Sequence, residues 1–186
     1  MTDNPLIVLF SSQLEAASAA AGWNYEVIQN YQPTQEGIPT APIIFFEKLF
    51  DKAYGWAHSQ FDKNPVRPPN WELNGFVATE EQWMETTFQV SALVIQDVDD
   101  LTLPTASDVA LYVRQYITAR VTQDILRAGG ASILRVTDIR NPKFTDDRGL
   151  FEANPNFDVV LQHRSRLAII IPGSDTVVGD IYPVLP

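Results

Sequence analysis

Two histidines and the absence of cysteine limit the chemistry open to this 186-residue chain. Neither His58 nor His163 lies in an HExxH pattern or in a pair at metal-ligand spacing, and without cysteine a thiolate zinc site is excluded. His163 precedes two arginines in a long apolar run, where we expect a solvent-facing or structurally bonded strand residue. No Gly-x-Ser-x-Gly elbow surrounds any serine. We therefore predict no catalytic residues.

Two acidic runs are the remaining candidates for chemistry, because carboxylates bind divalent cations. The runs Asp97-x-Asp99-Asp100 and Asp146-Asp147 both lack the glycine and terminal glutamate of a calcium-binding loop. The nine glycines form no phosphate-binding pattern. We predict no metal site and no cofactor. A pair of carboxylates needs only proximity in space for acid–base work, so a small hydrolase or nuclease stays open as an alternative.

Charge is distributed unevenly along this acidic chain, whose formal net charge is −10. Lysine and arginine are absent from residues 1–47 and from residues 68–113, and the second stretch contains eight acids. Residues 114–166 contain nine basic residues and six acids. An acidic protein is a poor candidate for wrapping nucleic acid, because phosphate binding depends on clustered cations. The pattern predicts two differently charged faces, either solvated separately or matched between neighbouring copies.

Hydrophobic periodicity predicts the elements that position these residues. Helices are expected over residues 4–21, with Asn4 as the N-cap, and from Thr105 to about residue 128, as one helix or as two with a break near Val121-Thr122. Strands are expected over residues 23–29, 43–49, 86–96, 132–140, 157–171 and 177–182, with a polar loop at 143–156. This order predicts a single α+β domain over residues 1–186, with a mostly antiparallel or mixed sheet and helices packed on one face.

Residues 51–80 show no clean periodicity but are rich in proline and aromatic residues. A structureless stretch of this length is uncommon in a compact domain unless it has a function, and linkers are poor in aromatics. We therefore predict an extended, aromatic-rich arm that packs on its own domain or on a partner. Trp56 and Trp71 are the candidate anchors for a subunit interface.

Three arginines, Arg114, Arg120 and Arg127, recur along the second predicted helix. On a continuous helix Arg120 and Arg127 would share a face, and Arg114 would lie about a third of a turn away. Asp124 would pair with both Arg120 and Arg127. The pattern fits either a salt-bridged solvated face or a basic strip. The three arginines are therefore candidates for subunit contact.

Several short motifs resemble those of one group of phage proteins. They are Leu103-Pro-Thr-Ala-Ser-Asp-Val-Ala-Leu111, Gly130-Ala-Ser-Ile-Leu-Arg-Val-Thr-Asp-Ile-Arg-Asn-Pro142, Asp146-Asp147, Phe151-Glu152 and Pro155-Asn-Phe-Asp158, with Pro42-Ile-Ile-Phe-Phe46 and Tyr54-Gly-Trp56 upstream. Over about residues 40–183 the chain resembles the tail terminator or neck (gateway) proteins of tailed bacteriophages. The motifs carry no catalytic residues.

The resemblance implies a non-enzymatic structural protein of the virion tail neck, assembled in the host cytoplasm. Such proteins cap the tail tube as a ring, commonly a hexamer, and join it to the head. The implied partners are other copies of the chain, the tail tube protein, the sheath protein and the head connector protein, with no membrane. Another head–tail component, such as an adaptor, a stopper or a tail-completion protein, is the alternative.

A neck ring must let phage DNA pass without specific binding, so its channel should repel phosphate. The acid-rich stretch at residues 68–113 could supply such a wall. The candidate channel-facing residues are Glu80, Glu81, Glu85, Asp97, Asp99 and Asp100.

Overall fold

The computed structural model describes residues 2–29, 41–63, 75–94, 102–145 and 151–172. Its helices are α1 (Asp3–Ala20), α2 (Ala106–Thr118) and α3 (Arg120–Ala128). Its strands are β1 (Glu26–Gln29), β2 (Ile43–Lys63), β3 (Gly75–Leu93), β4 (Ala131–Val136), β5 (Lys143–Thr145), β6 (Phe151–Ala153) and β7 (Asn156–Pro172). The fold is α+β, which confirms the predicted fold class.

Five strands form a mixed sheet in the order β1-β2-β3-β7-β4, and β5 pairs with β6 in a separate two-stranded sheet. Strand β1 runs parallel to β2, whereas β4 runs antiparallel to β7. The β4–β7 register shifts between Ile133 and Arg135, which makes Leu134 a bulge residue. Strand β4 is therefore an edge strand of the sheet, and a bulge interrupts its pairing with β7.

The hydrophobic core lies between the helices and one face of the sheet. Alternate residues of three neighbouring strands supply the sheet side of the core: Ile44 and Phe46, then Phe88, Val90 and Ala92, then Phe157, Val159 and Leu161. Phe10 of α1 stacks on Phe88, with ring centroids 4.8 Å apart, and meets Phe46 edge-on at 6.0 Å. Every second residue of these strands is buried against the apolar stripes of the helices. The helices and the sheet thus form two packed layers.

The ends of the helices follow the predicted signals in part. Thr105 and Asp108 form a reciprocal capping box at the start of α2, with the Asp108 N–H donating to Thr105 Oγ1 and the Thr105 N–H donating to the Asp108 carboxylate. The N-cap of α1 is Thr2, so the prediction of Asn4 was wrong by two residues. Gly22, with φ of +76°, follows α1 in a left-handed conformation that glycine adopts without strain.

Helices α2 and α3 are separated at Ala119, whose ψ of 144° is extended. The break therefore comes two residues before the predicted Val121. The carbonyl of Tyr116, near the end of α2, accepts hydrogen bonds from the Ala119 N–H at 3.1 Å and from the hydroxyl of Thr122 at 2.8 Å.

Strand lengths are the largest difference from the sequence prediction. Strand β2 continues to residue 63 and β3 begins at residue 75, so the described parts of the 51–80 region are strands. The predicted loop at 143–156 contains β5 and β6, which was a wrong assignment. Residues 137–139 leave the strand that was predicted to continue to 140, and the predicted strand at 177–182 lies outside the described residues.

The chain divides into two compact units, one of Met1–Tyr54 with Trp83–Ser165 and one of Gly55–Gln82 with Arg166–Pro186. The first unit holds the core described above. In the second, the side-chain amide of Gln82 donates to the Gly55 carbonyl at 3.3 Å, and Arg166 lies 3.7 Å from the Glu81 carboxylate. Strands β2, β3 and β7 each contribute residues to both units.

Candidate functional site

A chain of polar contacts runs from the start of α1 into the sheet. The ammonium of Lys48 bridges the carboxylates of Asp3, at 2.7 Å, and Asp51. The other oxygen of Asp51 accepts a hydrogen bond of 2.6 Å from the hydroxyl of Thr86. That hydroxyl lies 2.9 Å from Nε2 of His163. Thr86 and His163 are both buried, whereas Asp3 and Asp51 remain partly exposed.

The order of these contacts differs from that of a nucleophilic triad. The Thr86 hydroxyl has one proton and donates it to Asp51, so His163 must donate from Nε2 and cannot act as the base for Thr86. Nδ1 of His163, the atom that a triad carboxylate would hold, has no hydrogen-bond partner among the described residues. Thr86 is also fully buried. The group is built as a structural network rather than as a nucleophile and its base.

The surroundings set the charge state of each member of the network. Burial lowers the pKa of His163 below its ordinary value and favours the neutral ring. Burial alone would raise the pKa of Asp51, but hydrogen bonds from Lys48 and Thr86 hold it below its ordinary value. Burial would lower the pKa of Lys48, yet its bonds to Asp3 and Asp51 raise it. The network therefore favours the ammonium form of Lys48, the carboxylate form of Asp51 and the neutral imidazole of His163.

The described residues contain no group of three or more His, Asp or Glu side chains placed to hold a metal ion. None of the helices there combines the length and the apolar character needed to cross a membrane.

The outer half of β2 is the most exposed apolar segment in the described structure. Residues 49–61 are exposed without exception, which is unusual for a strand. Four of the side chains there are aromatic and at least half exposed: Phe50, Tyr54, Trp56 and Phe61. Trp56, a predicted anchor, is 97% exposed, and Trp71, the other, lies outside the described residues. Large exposed apolar side chains grouped along one segment are a feature of interaction sites.

The three candidate arginines fall into two separate groups, because the helix breaks at Ala119. Arg114 donates from Nε to the Thr137 carbonyl at 2.8 Å and pairs with Asp138 at 3.3 Å. Arg127 and Arg120 both approach Asp124, at 3.1 and 3.9 Å. The pairing of Arg120 and Arg127 with Asp124 is confirmed, and of the two alternatives, one helix or two, the structure has two helices.

A comparison with family models decides what kind of protein carries these surfaces. The model described as E217 gateway protein gp29 matches residues 5–172, which is most of the chain. The chain belongs to this family. Gateway proteins of this kind are phage head–tail proteins, and membership indicates a structural connector and a component of the virion. Comparison with curated proteins gives no match.

The candidate channel carboxylates of this gateway-family chain lie partly within β3. Glu80, Glu81 and Glu85 belong to the strand itself. Adjacent strand residues point to opposite faces, so Glu80 and Glu81 cannot share one face. Glu80 is exposed, and Glu81 pairs with Arg166. The other three carboxylates, Asp97, Asp99 and Asp100, lie outside the described residues.

Sequence reasoning missed two features of the structure. It did not single out Val121 and Ile125 of α3, which are 70% and 44% exposed. Their spacing of four residues beside the charged Arg120 and Asp124 was the available signal. It also missed the Thr86–His163 contact, which joins residues 77 positions apart and has no local signature.

Proposed function

We propose that this gateway-family chain is a non-enzymatic structural protein that caps the phage tail tube as a ring, commonly of six copies. The ring forms the surface to which the head connector docks, with the tail tube protein, and the sheath protein where there is one, on its other side. Phage DNA passes through its channel without specific binding. Family membership supports a place at the head–tail joint.

The observation that carries the ring proposal is the exposed aromatic run of β2. A water-soluble monomer gains nothing from holding Trp56 almost fully in solvent, whereas aromatic anchors contribute most of the binding energy in many interfaces. A strand segment exposed on both sides offers faces on which a partner can pack. Ring contacts are heterologous, so the aromatic run need not be self-complementary.

The network around His163 supports a structural role for the chain. Its side chains bond to one another in an order that leaves no nucleophile poised to react. Their net effect is to tie α1 to β2 and β3, which holds the scaffold that displays the β2 aromatics.

Native mass spectrometry of the purified chain over a range of concentrations tests the proposal. We expect a monomer of 20.8 kDa in exchange with a closed species of about six times that mass. A protein that stays monomeric at every concentration, or that forms only a two-fold dimer, would contradict the ring.

A further inference from the structure

The solvent side of α3 has two adjacent stripes of different character. Residues three and four apart share a face of a helix, and buried Thr122 and Leu126 mark the face of α3 that is turned to the core. The apolar stripe consists of Val121, Ile125 and Ala128, and the charged stripe of Arg120, Asp124 and Arg127. All six residues are exposed. A nine-residue helix thus presents a second, outward-facing amphipathic surface.

The charges beside the apolar stripe are not balanced within the helix. Asp124 is the one carboxylate on α3 and lies near two guanidinium groups, Arg120 and Arg127. Arg135 is exposed on β4, which follows α3 directly. Arg114 and Arg140 are paired with Asp138 and Asp158, so they add no free charge beside α3. The exposed side of α3 therefore carries a net charge of +1 from its two arginines and one aspartate, in a chain whose total is −10.

We propose that α3 is a subunit-contact helix, with Val121 and Ile125 packing against an acid-rich surface of a second copy of this chain. This inference rests on the proposed ring. In a head-to-tail contact one patch meets a different patch on the next copy, and the opposite charges of the two parts of this chain supply such a pair. The apolar stripe anchors the contact and the arginines select the acidic partner.

Duplex DNA is a poorer fit for the same surface. Phosphate would contact the arginines but would leave Val121 and Ile125 in water, and the carboxylate of Asp124 lies between the two guanidinium groups. A second copy uses both stripes. Binding of DNA is accordingly an outcome that the experiment must be able to reveal.

Two exposed valines allow a matched test. Val121 on α3 and Val8 on α1 are 70% and 65% exposed, so Val121→Asp and Val8→Asp make the same change at equal exposure on different helices. Val121 is the second residue of α3, where a carboxylate interacts favourably with the helix dipole, so the helix should form in the variant. Ile125→Ser provides a second variant that adds no charge.

Sedimentation velocity of the full-length chain gives the readout. Val121→Asp and Ile125→Ser should raise the concentration for half-assembly by roughly tenfold or more, and Val8→Asp by no more than about twofold. Equal effects of the two aspartate variants would overturn the assignment of α3. The double variant Arg120→Glu/Arg127→Glu tests the arginines. If it forms normal rings but no longer binds a labelled DNA duplex, the assignment of α3 is also overturned. A wild-type chain that never assembles would instead contradict the proposed ring itself.

Discussion

The hydroxyl of Thr86 and Nε2 of His163 lie 2.9 Å apart, although 77 residues separate them in the chain. The contact joins the neighbouring strands β3 and β7 below the helices. Through Asp51 and Lys48 it extends to Asp3 at the start of α1. Packing and hydrogen bonds thus hold the start of α1 on the sheet. Because this network contains His163, its contribution to stability should depend on pH.

Acid should destabilise the fold through His163. Its pKa is lowered in the folded chain, so the unfolded chain binds the proton more readily. The free energy of unfolding should therefore fall as pH drops below about 6.5, the ordinary pKa of histidine, until the folded pKa is passed. Urea unfolding between pH 5 and pH 8 measures this. His163→Gln should remove the dependence in that window, whereas exposed His58→Gln should leave it intact.

Removing the Thr86 hydroxyl should destabilise the fold at all pH values. Thr86→Val keeps the shape of the side chain but leaves the ring N–H of His163 and one oxygen of Asp51 without their partner. An unpaired buried polar group costs about 1–3 kcal/mol. Thr86→Ser keeps the hydroxyl and should cost less. Equal midpoints for the valine variant and the wild type in urea unfolding would show that the network contributes nothing.

Two tryptophans should separate assembly from folding. Trp56 is almost fully exposed, whereas Trp23 is partly buried between Tyr25 and Tyr112, with ring centroids 5.4 and 5.1 Å away. Trp56→Ala should weaken assembly by ~2 kcal/mol or more and leave monomer stability unchanged. Trp23→Ala should lower monomer stability first. Unfolding and assembly titrations of both variants measure the two effects. If Trp56→Ala lowers monomer stability and Trp23→Ala does not, Trp56 belongs to the folding core.

The ring should have little affinity for duplex DNA. Each Lys or Arg that contacts phosphate releases counterions and adds affinity, which would slow DNA in a channel. We expect weak binding of the wild-type ring at moderate salt, and a gain in salt-sensitive binding for Glu80→Lys. Fluorescence anisotropy with a labelled duplex measures both. Tight, salt-sensitive binding by the wild type would reject an acidic channel wall.

The sequence predicted elements whose pattern is local. The capping box at Thr105 and Asp108 and the alternation of Phe88, Val90 and Ala92 need only a few adjacent residues, and both are confirmed. The long outer half of β2 has no such pattern. Because residues 49–61 are exposed on both sides, burial imposes no alternation there, and pairing with a neighbouring strand forms the β-structure instead.

The candidate site was predictable to a similar degree. The aromatic run singled out Trp56, which is exposed. The separation of Arg114 from Arg120 and Arg127 results from the break at Ala119. The sequence left open whether the helix breaks, and placed the possible break near Val121-Thr122, two residues from where it lies. The contact of Thr86 with His163 is long-range and leaves no trace in spacing.

Cryo-electron microscopy of phage particles that carry this chain tests the central claim most directly. The account predicts one closed ring of the chain at the top of the tail tube, with density for the head connector above it and the aromatic run of β2 buried in a contact. Absence of the chain from the head–tail joint, or its presence there only as isolated two-fold dimers, would contradict the account.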